Sequence, residues 1–307
     1  RVHRDDPTVY VCPAFHTASY RRKNGPSSLL SCRQTVTVSG PGSSAAPEDP
    51  GCRYTVTVSR PSPNRQPGYT MQQEDGVKTI GLIGGLSWES TLTYYRLINE
   101  GVRERLGGLH SAEIIMRSVD FAPVEVMQRN EQWEEGAEYL IGIARTLVQA
   151  GAELILICTN TMHVVADQVE EAISVPLLHI ADAAGRALSQ AAITRAGLLG
   201  TRFTMNMDFY RKRLQEKFNI ETLVPPGEAQ EYVNGVIYNE LCVGDLRPES
   251  KREFLNIISH LSEEGAGGII LGCTEIPLLI RPGDTDLPVF DTTELHAKAA
   301  VECALGA

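Results

Sequence analysis

The sequence predicts an α/β protein with two similar lobes, each a parallel sheet flanked by helices, around a pseudo-two-fold active-site cleft. From residue 77 onward, short Ile/Leu/Val-rich runs alternate with longer stretches of helical spacing, a pattern typical of parallel sheets. The segment 151–160 recurs at 265–274, and the apolar run 79–84 recurs at 195–200. Both repeats end in Gly or polar residues, and open α/β sheets bind ligands at the carboxyl ends of their strands.

Each expected strand is a short apolar run, and most end at Gly, Ser, Thr or Cys. These runs are 77–83, 113–118, 154–158, 177–180, 195–199, 221–224, 268–271 and 287–291. The stretches between them carry apolar residues at helical spacing and are predicted to be helices. They are 91–106, 132–150, 162–173, 183–192, 207–218, 230–242, 250–264 and 294–304.

The internal repeat divides the body of the chain into two lobes. We expect residues 77–178 together with 284–307 to form the first lobe and residues 179–283 to form the second. Because each lobe then offers equivalent strand ends, side chains from the two lobes can face each other across a cleft.

The N-terminal region differs in composition from this body. Residues 1–70 carry a formal charge of +5 and nine of the 17 prolines, whereas the remainder carries −15. A segment at 32–41 recurs at 52–61 with alternating Thr and Val, which would suit a small disulfide-bearing β module. Its Pro, Ser, Gly and Arg content and its three cysteines favour a different interpretation, in which residues 1–76 are a disordered or non-native leader.

Composition also excludes some classes of function. The formal net charge of −10 argues against binding to a phosphate backbone, and an aromatic content of 6% argues against stacking on single-stranded nucleic acid. No apolar run approaches the ~18 residues of a membrane-spanning helix. We therefore expect a cytoplasmic protein that binds neither nucleic acid nor membrane.

The repeat also selects the residues that face each other. Aligning 151–160 with 265–274 pairs Thr159 with Cys273, and pairs Cys158 with Gly272. Side chains alternate along a strand, so Cys158 is expected to point away from Thr159. Cys273 precedes a short helical segment, whose N-terminus is expected to lower the pKa of the thiol. The alternative is that Cys273 is a buried, inert cysteine.

Polar side chains follow both strand ends. Asn160, Thr161 and Thr274 would suit a carboxylate, although Asn160 and Thr161 could equally form a turn and a helix cap. His163 could act as a general base, but its place inside a helical segment favours a role behind the site or on the surface. With Cys158 it supplies only two ligands, so no metal site is expected. The glycine-containing turns lack dinucleotide and P-loop motifs.

Four motifs together resemble one family, the cofactor-independent aspartate/glutamate racemases. They are GGLSWES at 84–90, CTNTMH at 158–163, GTR at 200–202 and GCTEI at 272–276. The likeness extends over residues 77–305 and is strongest to the L-aspartate/glutamate and broad-specificity branches. It implies an amino-acid substrate, no cofactor and a homodimer.

The resemblance also implies roles for particular residues. Two opposed cysteines commonly remove and return the α-proton in this family; the matching positions here are Cys273 and Thr159, which agrees with the internal repeat. The substrate-binding positions that the resemblance implies are Leu86, Gln128, Asn160, Thr161, Thr274 and Glu275. Gln128 rests on the resemblance alone, because its sequence surroundings indicate only a polar loop.

A thiolate is a workable base near neutral pH, whereas a threonine hydroxyl is not without strong assistance. We therefore expect an asymmetric racemase with Cys273 as the competent base. Hydantoin racemases, maleate isomerases and malonate decarboxylases share the paired strand ends and remain alternatives. A weakly catalytic carboxylate-binding protein is the alternative from another class, and a nucleotide-binding module is the third.

Overall fold

The computed structural model describes residues 77–306 and, ahead of them, four short strands. Strand β1 (Tyr10–Val11) pairs antiparallel with β2 (Ala18–Ser19), and β3 (Val36–Ser39) pairs antiparallel with β4 (Thr55–Val58). The two copies of the Thr/Val repeat thus form one strand pair. The rest of the N-terminal region, and with it the prediction of a disordered or non-native leader, lies outside the described residues.

Eight further strands form two parallel sheets of four strands each. The first sheet has the order β6-β5-β7-β8, with β5 (Ile80–Gly84), β6 (Ile114–Ser118), β7 (Leu154–Ile157) and β8 (Leu177–Leu178). The second has the order β10-β9-β11-β12, with β9 (Arg195–Gly200), β10 (Glu221–Leu223), β11 (Ile269–Gly272) and β12 (Val289–Asp291). The identical orders confirm the predicted two-lobed α/β fold.

The helices lie between these strands. They are α1 (Trp88–Leu106), α2 (Phe121–Arg129), α3 (Trp133–Gln149), α4 (Ala166–Glu171), α5 (Ile180–Gln190), α6 (Arg202–Asn206), α7 (Asp208–Phe218), α8 (Gly227–Asn239), α9 (Pro248–Glu263), α10 (Ile276–Leu279) and α11 (Thr292–Ala304). Two 3₁₀ helices span Thr161–Val165 and Leu241–Val243. Within the described part of the chain, no helix is both long and apolar enough to cross a bilayer.

The helices differ from expectation in two ways. The predicted helix 162–173 is a 3₁₀ helix followed by α4. Helices α2 and α6 were not predicted, and α10 was expected only as a short helical segment after Cys273. All three are short, and α2 carries a proline at its third position, so apolar spacing gave no signal for them. Asp120 starts α2 by accepting a hydrogen bond from the Ala122 N–H at 3.2 Å.

Strand alternation places the core on both faces of the first sheet. Leu154, Leu156 and Cys158 pack with residues of α1 and α11, whereas Ile155 and Ile157 pack with residues of α3. All five are completely buried. The Cys158 side chain therefore belongs to the apolar core behind the strand end.

The last two elements connect the lobes. Strand β12 is hydrogen-bonded to β11 in the second sheet, whereas α11, which follows it, packs against α1 and α5. The sequence had grouped residues 284–307 with the first lobe, and the structure divides them: the strand lies in the second sheet and the helix contacts α1 of the first lobe.

Three buried histidines lie together near the start of α5 and α11. The ring of His163 lies 4.6 Å from that of His179 and 5.6 Å from that of His296. His296 accepts a hydrogen bond from the Tyr94 hydroxyl at 2.8 Å and donates to the Leu178 carbonyl at 2.8 Å. Burial lowers the pKa of His163 to about 4 and that of His296 to about 3, and it also lowers the pKa of His179.

Because of these histidines, we predict that the free energy of unfolding falls in mild acid. Their folded-state pKa values lie below the unfolded value of about 6.5, so the unfolded chain binds more protons as the pH falls. At pH 5.5 each such histidine should lower the free energy of unfolding by about 1.4 kcal/mol. Urea unfolding between pH 7.5 and 5.5 measures this effect in a range where ordinary carboxylates stay ionised.

A matched pair of variants isolates the cluster. His179→Asn keeps a side-chain oxygen that can cap α5. It should reduce the change in the free energy of unfolding between pH 7.5 and 5.5 by about the amount expected for one histidine. His260→Asn makes the same substitution at an exposed histidine outside the cluster and serves as the comparison. Equal slopes for both variants would show that the cluster does not titrate in this way.

Candidate active site

The candidate site lies where the central strands of the two sheets end. In each sheet the first and third strands in sequence, β5 with β7 and β9 with β11, are neighbours, and the second strand lies on the other side of the first. The order in which the chain adds strands to the sheet therefore reverses between these two neighbours. Open α/β sheets bind ligands at such a point. All four strand ends contribute to one cleft between the lobes.

The cleft contains the two expected catalytic residues and the six expected substrate-binding residues, but not His163. Fifteen residues line it: Leu86, Ser87, Phe121, Gln128, Thr159, Asn160, Thr161, Thr201, Ile237, Tyr238, Cys242, Gly272, Cys273, Thr274 and Glu275. Its cavity volume is only about 30 Å³, room for one or two water molecules. An amino acid could enter only if the lobes part or lining side chains move.

The Cys273 thiol makes one direct contact with a carboxylate. It immediately follows β11, is 7% exposed, and donates to Oε2 of Glu275 at 2.9 Å. Thr274 donates its hydroxyl to the same oxygen at 2.8 Å. The carboxylate thus accepts from two neighbouring side chains on one turn, and it is placed to take the thiol proton.

The expected lowering of the Cys273 pKa is wrong for this arrangement. Burial and the nearby Glu275 carboxylate both raise the pKa of the thiol well above its ordinary value. Only the hydrogen bond from the Glu275 backbone acts in the other direction. In this arrangement Cys273 is therefore a protonated thiol rather than a thiolate.

Thr159 follows β7 in the first lobe, and a buried histidine holds its backbone. His163 lies 2.7 Å from the Thr159 carbonyl through Nδ1, and its Nε2 accepts from the Ile180 N–H at 3.2 Å. The second contact requires an unprotonated Nε2, so Nδ1 carries the proton and donates to Thr159. His163 is buried and is not among the residues that line the cleft; its two hydrogen bonds join the Thr159 carbonyl to the start of α5.

Asn160 is buried between the two lobes. Its Nδ2 donates to the Thr292 hydroxyl at 3.1 Å, whereas its Oδ1 has no hydrogen-bond partner within the part of the chain that the structure describes. A buried amide oxygen without a partner is costly. Asn160 lines the cleft, so this unpartnered acceptor belongs to a residue at the boundary of the candidate site.

Threonine hydroxyls link the two lobes across the floor of the cleft. Oγ1 of Thr161 in the first lobe lies 3.1 Å from Oγ1 of Thr201 in the second, which lies 3.2 Å from Oγ1 of Thr204. Thr201 also starts α6 by accepting from the Thr204 N–H at 3.3 Å. A carboxylate could accept hydrogen bonds from this chain of hydroxyls.

The glycine turn after β5 brings backbone to the cleft. Gly85 has a φ of +80°, and a Cβ there would lie 2.2 Å from the Val119 carbonyl oxygen, so only glycine fits. Its N–H donates to the Thr91 hydroxyl at 2.8 Å, and Ser87 caps α1 through the Ser90 N–H. Leu86, buried between them, therefore has a fixed position in the wall.

Gln128 belongs to a helix and not to the polar loop that its sequence surroundings indicated. It lies near the end of α2, is 2% exposed, and lines the cleft. Its burial supports a structural or binding role that a single sequence cannot show.

Sequence reasoning missed three residues near the site: Tyr238, Cys242 and Thr292. Tyr238 and Cys242 come from α8 and the 3₁₀ helix after it, and burial raises the pKa of Cys242 to about 12. Their helical spacing was indistinguishable from that of core positions. Thr292 at the start of α11 carries no motif, and its importance comes only from its contacts.

The cleft itself offers no cation. Of the described residues that line it, Glu275 is the charged one and none is Lys or Arg. A wider pocket of about 210 Å³ adjoins it through Gln128 and Tyr238 and includes Arg129 and Arg202. Arg129 lies 3.6 Å from Glu125, and the Arg202 guanidinium lies 4.7 Å above the Phe203 ring.

Comparison with known proteins identifies the family of this chain. Residues 83–300 match the model of the Asp/Glu/Hydantoin racemase family. The broad specificity amino-acid racemase RacX of Bacillus subtilis is 24% identical over 230 residues, which cover 74% of this chain and 98% of that protein.

Two solved structures are more similar in sequence. A crystal structure of a putative Asp/Glu racemase from Yersinia pestis is 51% identical with a TM-score of 0.71, covering 74% of this chain and 99% of that one. An aspartate racemase homologue from Pyrococcus horikoshii is 40% identical with a TM-score of 0.66 and the same coverage. The chain belongs to the Asp/Glu/Hydantoin racemase family. Its homologues are amino-acid racemases, so the protein is an isomerase.

From the contact between Cys273 and Glu275 we predict how the reactivity of the thiol changes in a variant. Glu275→Gln removes a negative charge beside the thiol, so it should lower the pKa of Cys273 and raise its thiolate fraction. Alkylation of Cys273 by iodoacetamide at pH 7.5, followed by mass spectrometry, should accelerate accordingly. Cys303 on α11 serves as the internal control and should react at the same rate in both proteins. Unchanged or slower alkylation of Cys273 would contradict this interpretation.

Proposed function

We propose that this protein interconverts the L and D forms of aspartate, glutamate or a related amino acid without pyridoxal phosphate or a metal. Cys273 and Thr159 would act on opposite faces of the α-carbon. The observation that carries this proposal is that both residues follow equivalent strands of the two sheets and line one cleft. Glu275, hydrogen-bonded to the thiol, supplies a proton acceptor.

The lining of the cleft suits both charged groups of an amino acid. The hydroxyls of Thr161 and Thr201 can donate to the α-carboxylate, and Thr274 can join them if it leaves Glu275. The unpartnered Oδ1 of Asn160 can accept from the α-ammonium group. These donors would also stabilise the negative charge that develops on the carboxylate as the α-proton leaves.

Substrate binding would activate the thiol. An α-ammonium group in the cleft favours a nearby negative charge and so lowers the pKa of Cys273. The thiol proton passes to the Glu275 carboxylate, and the resulting thiolate removes the α-proton. Thr159 then returns a proton to the other face, and its alkoxide recovers one from solvent while Glu275 releases the proton it took. The alkoxide is the costly species, which makes the Thr159 half of the reaction slow.

The side chain of the substrate would extend toward the adjoining pocket. A second carboxylate finds no cation in the cleft, and Arg129 and Arg202 lie beyond Gln128 and Tyr238. Since Arg129 already lies beside Glu125, Arg202 is the better candidate to attract an acidic side chain. This supports aspartate or glutamate as the substrate.

We also propose that the enzyme is a cytoplasmic homodimer. Trp88, Leu92 and Tyr95 form an exposed apolar stripe at helical spacing on α1, which a second copy could cover. The four cysteines of the described residues are all free thiols, as a reducing compartment maintains them.

Exchange of the α-proton tests the reaction directly. Proton NMR of L-aspartate and L-glutamate in D₂O, with protein and no added cofactor, should show loss of the α-proton signal. Cys273→Ser should reduce this exchange by at least about a hundredfold, because a serine hydroxyl is a far weaker base than a thiolate. Cys242→Ser, at a cleft cysteine that the mechanism does not use, serves as the comparison and should keep far more of the exchange.

Other outcomes would separate the alternatives. Binding of aspartate without exchange would indicate a carboxylate-binding protein. Turnover of a hydantoin or of maleate without exchange of either amino acid would indicate another isomerase of the family. Full exchange by Cys273→Ser would contradict the assignment of the base.

Because Thr159 is a weaker acid–base group than Cys273, we also predict the effect of replacing it. Thr159→Cys places a competent acid–base group on the weaker face, so conversion of the disfavoured enantiomer should accelerate about tenfold or more. Circular dichroism measures the initial rate from each enantiomer separately. Thr159→Ser, which keeps a hydroxyl, should show no such gain. If Thr159→Cys leaves both rates unchanged, the Thr159 side chain does not limit the reaction.

A further inference from the structure

Thr292 lies directly behind the cleft and contacts the strand ends of both lobes. It is the first residue of α11 and is completely buried. Its hydroxyl donates to the Leu271 carbonyl at 2.8 Å, on the strand that leads to Cys273. The same oxygen receives the hydrogen bond from Asn160 Nδ2 at 3.1 Å, next to Thr159. One hydroxyl thus touches both halves of the site.

The directions of these two hydrogen bonds follow from counting protons. A threonine hydroxyl has one proton, and a backbone carbonyl can only accept. Because that proton is given to Leu271, the Thr292 oxygen can only accept from Asn160. The NH₂ end of the amide must therefore face Thr292, and Oδ1 must face away from it. This Oδ1 is the buried acceptor for which residues 77–306 provide no partner.

We propose that Thr292 is a positioning residue that fixes the orientation of the Asn160 amide, so that Oδ1 accepts from the α-ammonium group of the substrate. This inference rests on the proposed function. If the amide turned over, its NH₂ group would face the ammonium, and the site would lose an acceptor and gain a repulsive dipole. Thr292 itself touches no substrate; it acts through Asn160.

The neighbouring residue provides a matched control. Thr293 is also buried, at 1% exposure, but within residues 77–306 no hydrogen bond links its hydroxyl to Asn160 or to the Leu271 carbonyl. Thr→Val removes the same hydroxyl and keeps nearly the same volume at either position. A general effect of removing a hydroxyl from the start of α11 would appear in both variants, whereas the amide effect is confined to Thr292.

The test compares ligands with and without an amino group. Succinate is aspartate without its α-ammonium group, and glutarate is related to glutamate in the same way. Calorimetric titration should show that Thr292→Val weakens binding of L-aspartate or L-glutamate by about tenfold or more, since hydrogen bonds to charged groups are the stronger ones. Binding of succinate or glutarate should stay within about twofold of wild type, as expected when the lost contact involves the ammonium alone.

Two further variants complete the experiment. Thr292→Ser keeps the hydroxyl and should restore amino-acid binding, and Thr293→Val should bind every ligand as the wild type does. Equal weakening of amino acid and dicarboxylate by Thr292→Val would indicate general structural damage and overturn the inference. So would unchanged amino-acid binding in that variant.

Failure of the proposed function would be visible separately. If the wild-type protein binds aspartate but never exchanges its α-proton, the racemase proposal fails while the titrations still decide the role of Thr292. If the wild type exchanges the proton and Thr292→Val behaves like wild type, only the positioning role fails. If the wild type binds neither amino acid, both fail.

Discussion

The parallel arrangement of strands in two equivalent sheets determines where chemistry can occur in this protein. In each sheet the two middle strands end side by side, and the four ends meet at one cleft. Alternation along β7 then sends Cys158 into the apolar core and leaves Thr159 in the cleft wall. The second lobe repeats the arrangement, so that Cys273 faces the same space. The duplicated topology thus brings Thr159 of the first lobe and Cys273 of the second to one cleft.

The cleft carries little charge of its own, and burial changes the pKa of its thiol. An acidic chain does not attract an acidic amino acid through its net charge, and the cleft lining adds a carboxylate and no cation. Binding of the proposed substrate would therefore depend on local donors: the hydroxyls at the strand ends and the arginines beyond Gln128. Burial and the Glu275 carboxylate raise the pKa of the Cys273 thiol, so in the proposed mechanism a cationic ammonium group beside the thiol would be needed to form the thiolate. Coupling of this kind would protect the thiol when no substrate is bound.

Much of the fold could be predicted from the sequence, because buried parallel strands are short apolar runs that need no tertiary context to recognise. The pairing of Thr159 with Cys273 was also accessible, since the internal repeat aligns them without a structure. Contacts between residues that lie far apart in the sequence could not be predicted. Thr292 meets Asn160 across 132 residues, and nothing in its local sequence marks it. The pKa of Cys273 was predicted in the wrong direction because the helix that follows it was visible and the side-chain contact with Glu275 was not.

The central claim is that two different groups handle the α-proton on opposite faces of the substrate. The most direct test follows the label at the α-carbon during the first few per cent of conversion in D₂O, starting from each enantiomer of an accepted amino acid. Two groups on opposite faces predict that the product carries deuterium while the recovered substrate keeps its own hydrogen. Product that retains the original hydrogen, or substrate that gains deuterium as fast as product forms, would show that a single group serves both faces and would contradict the account.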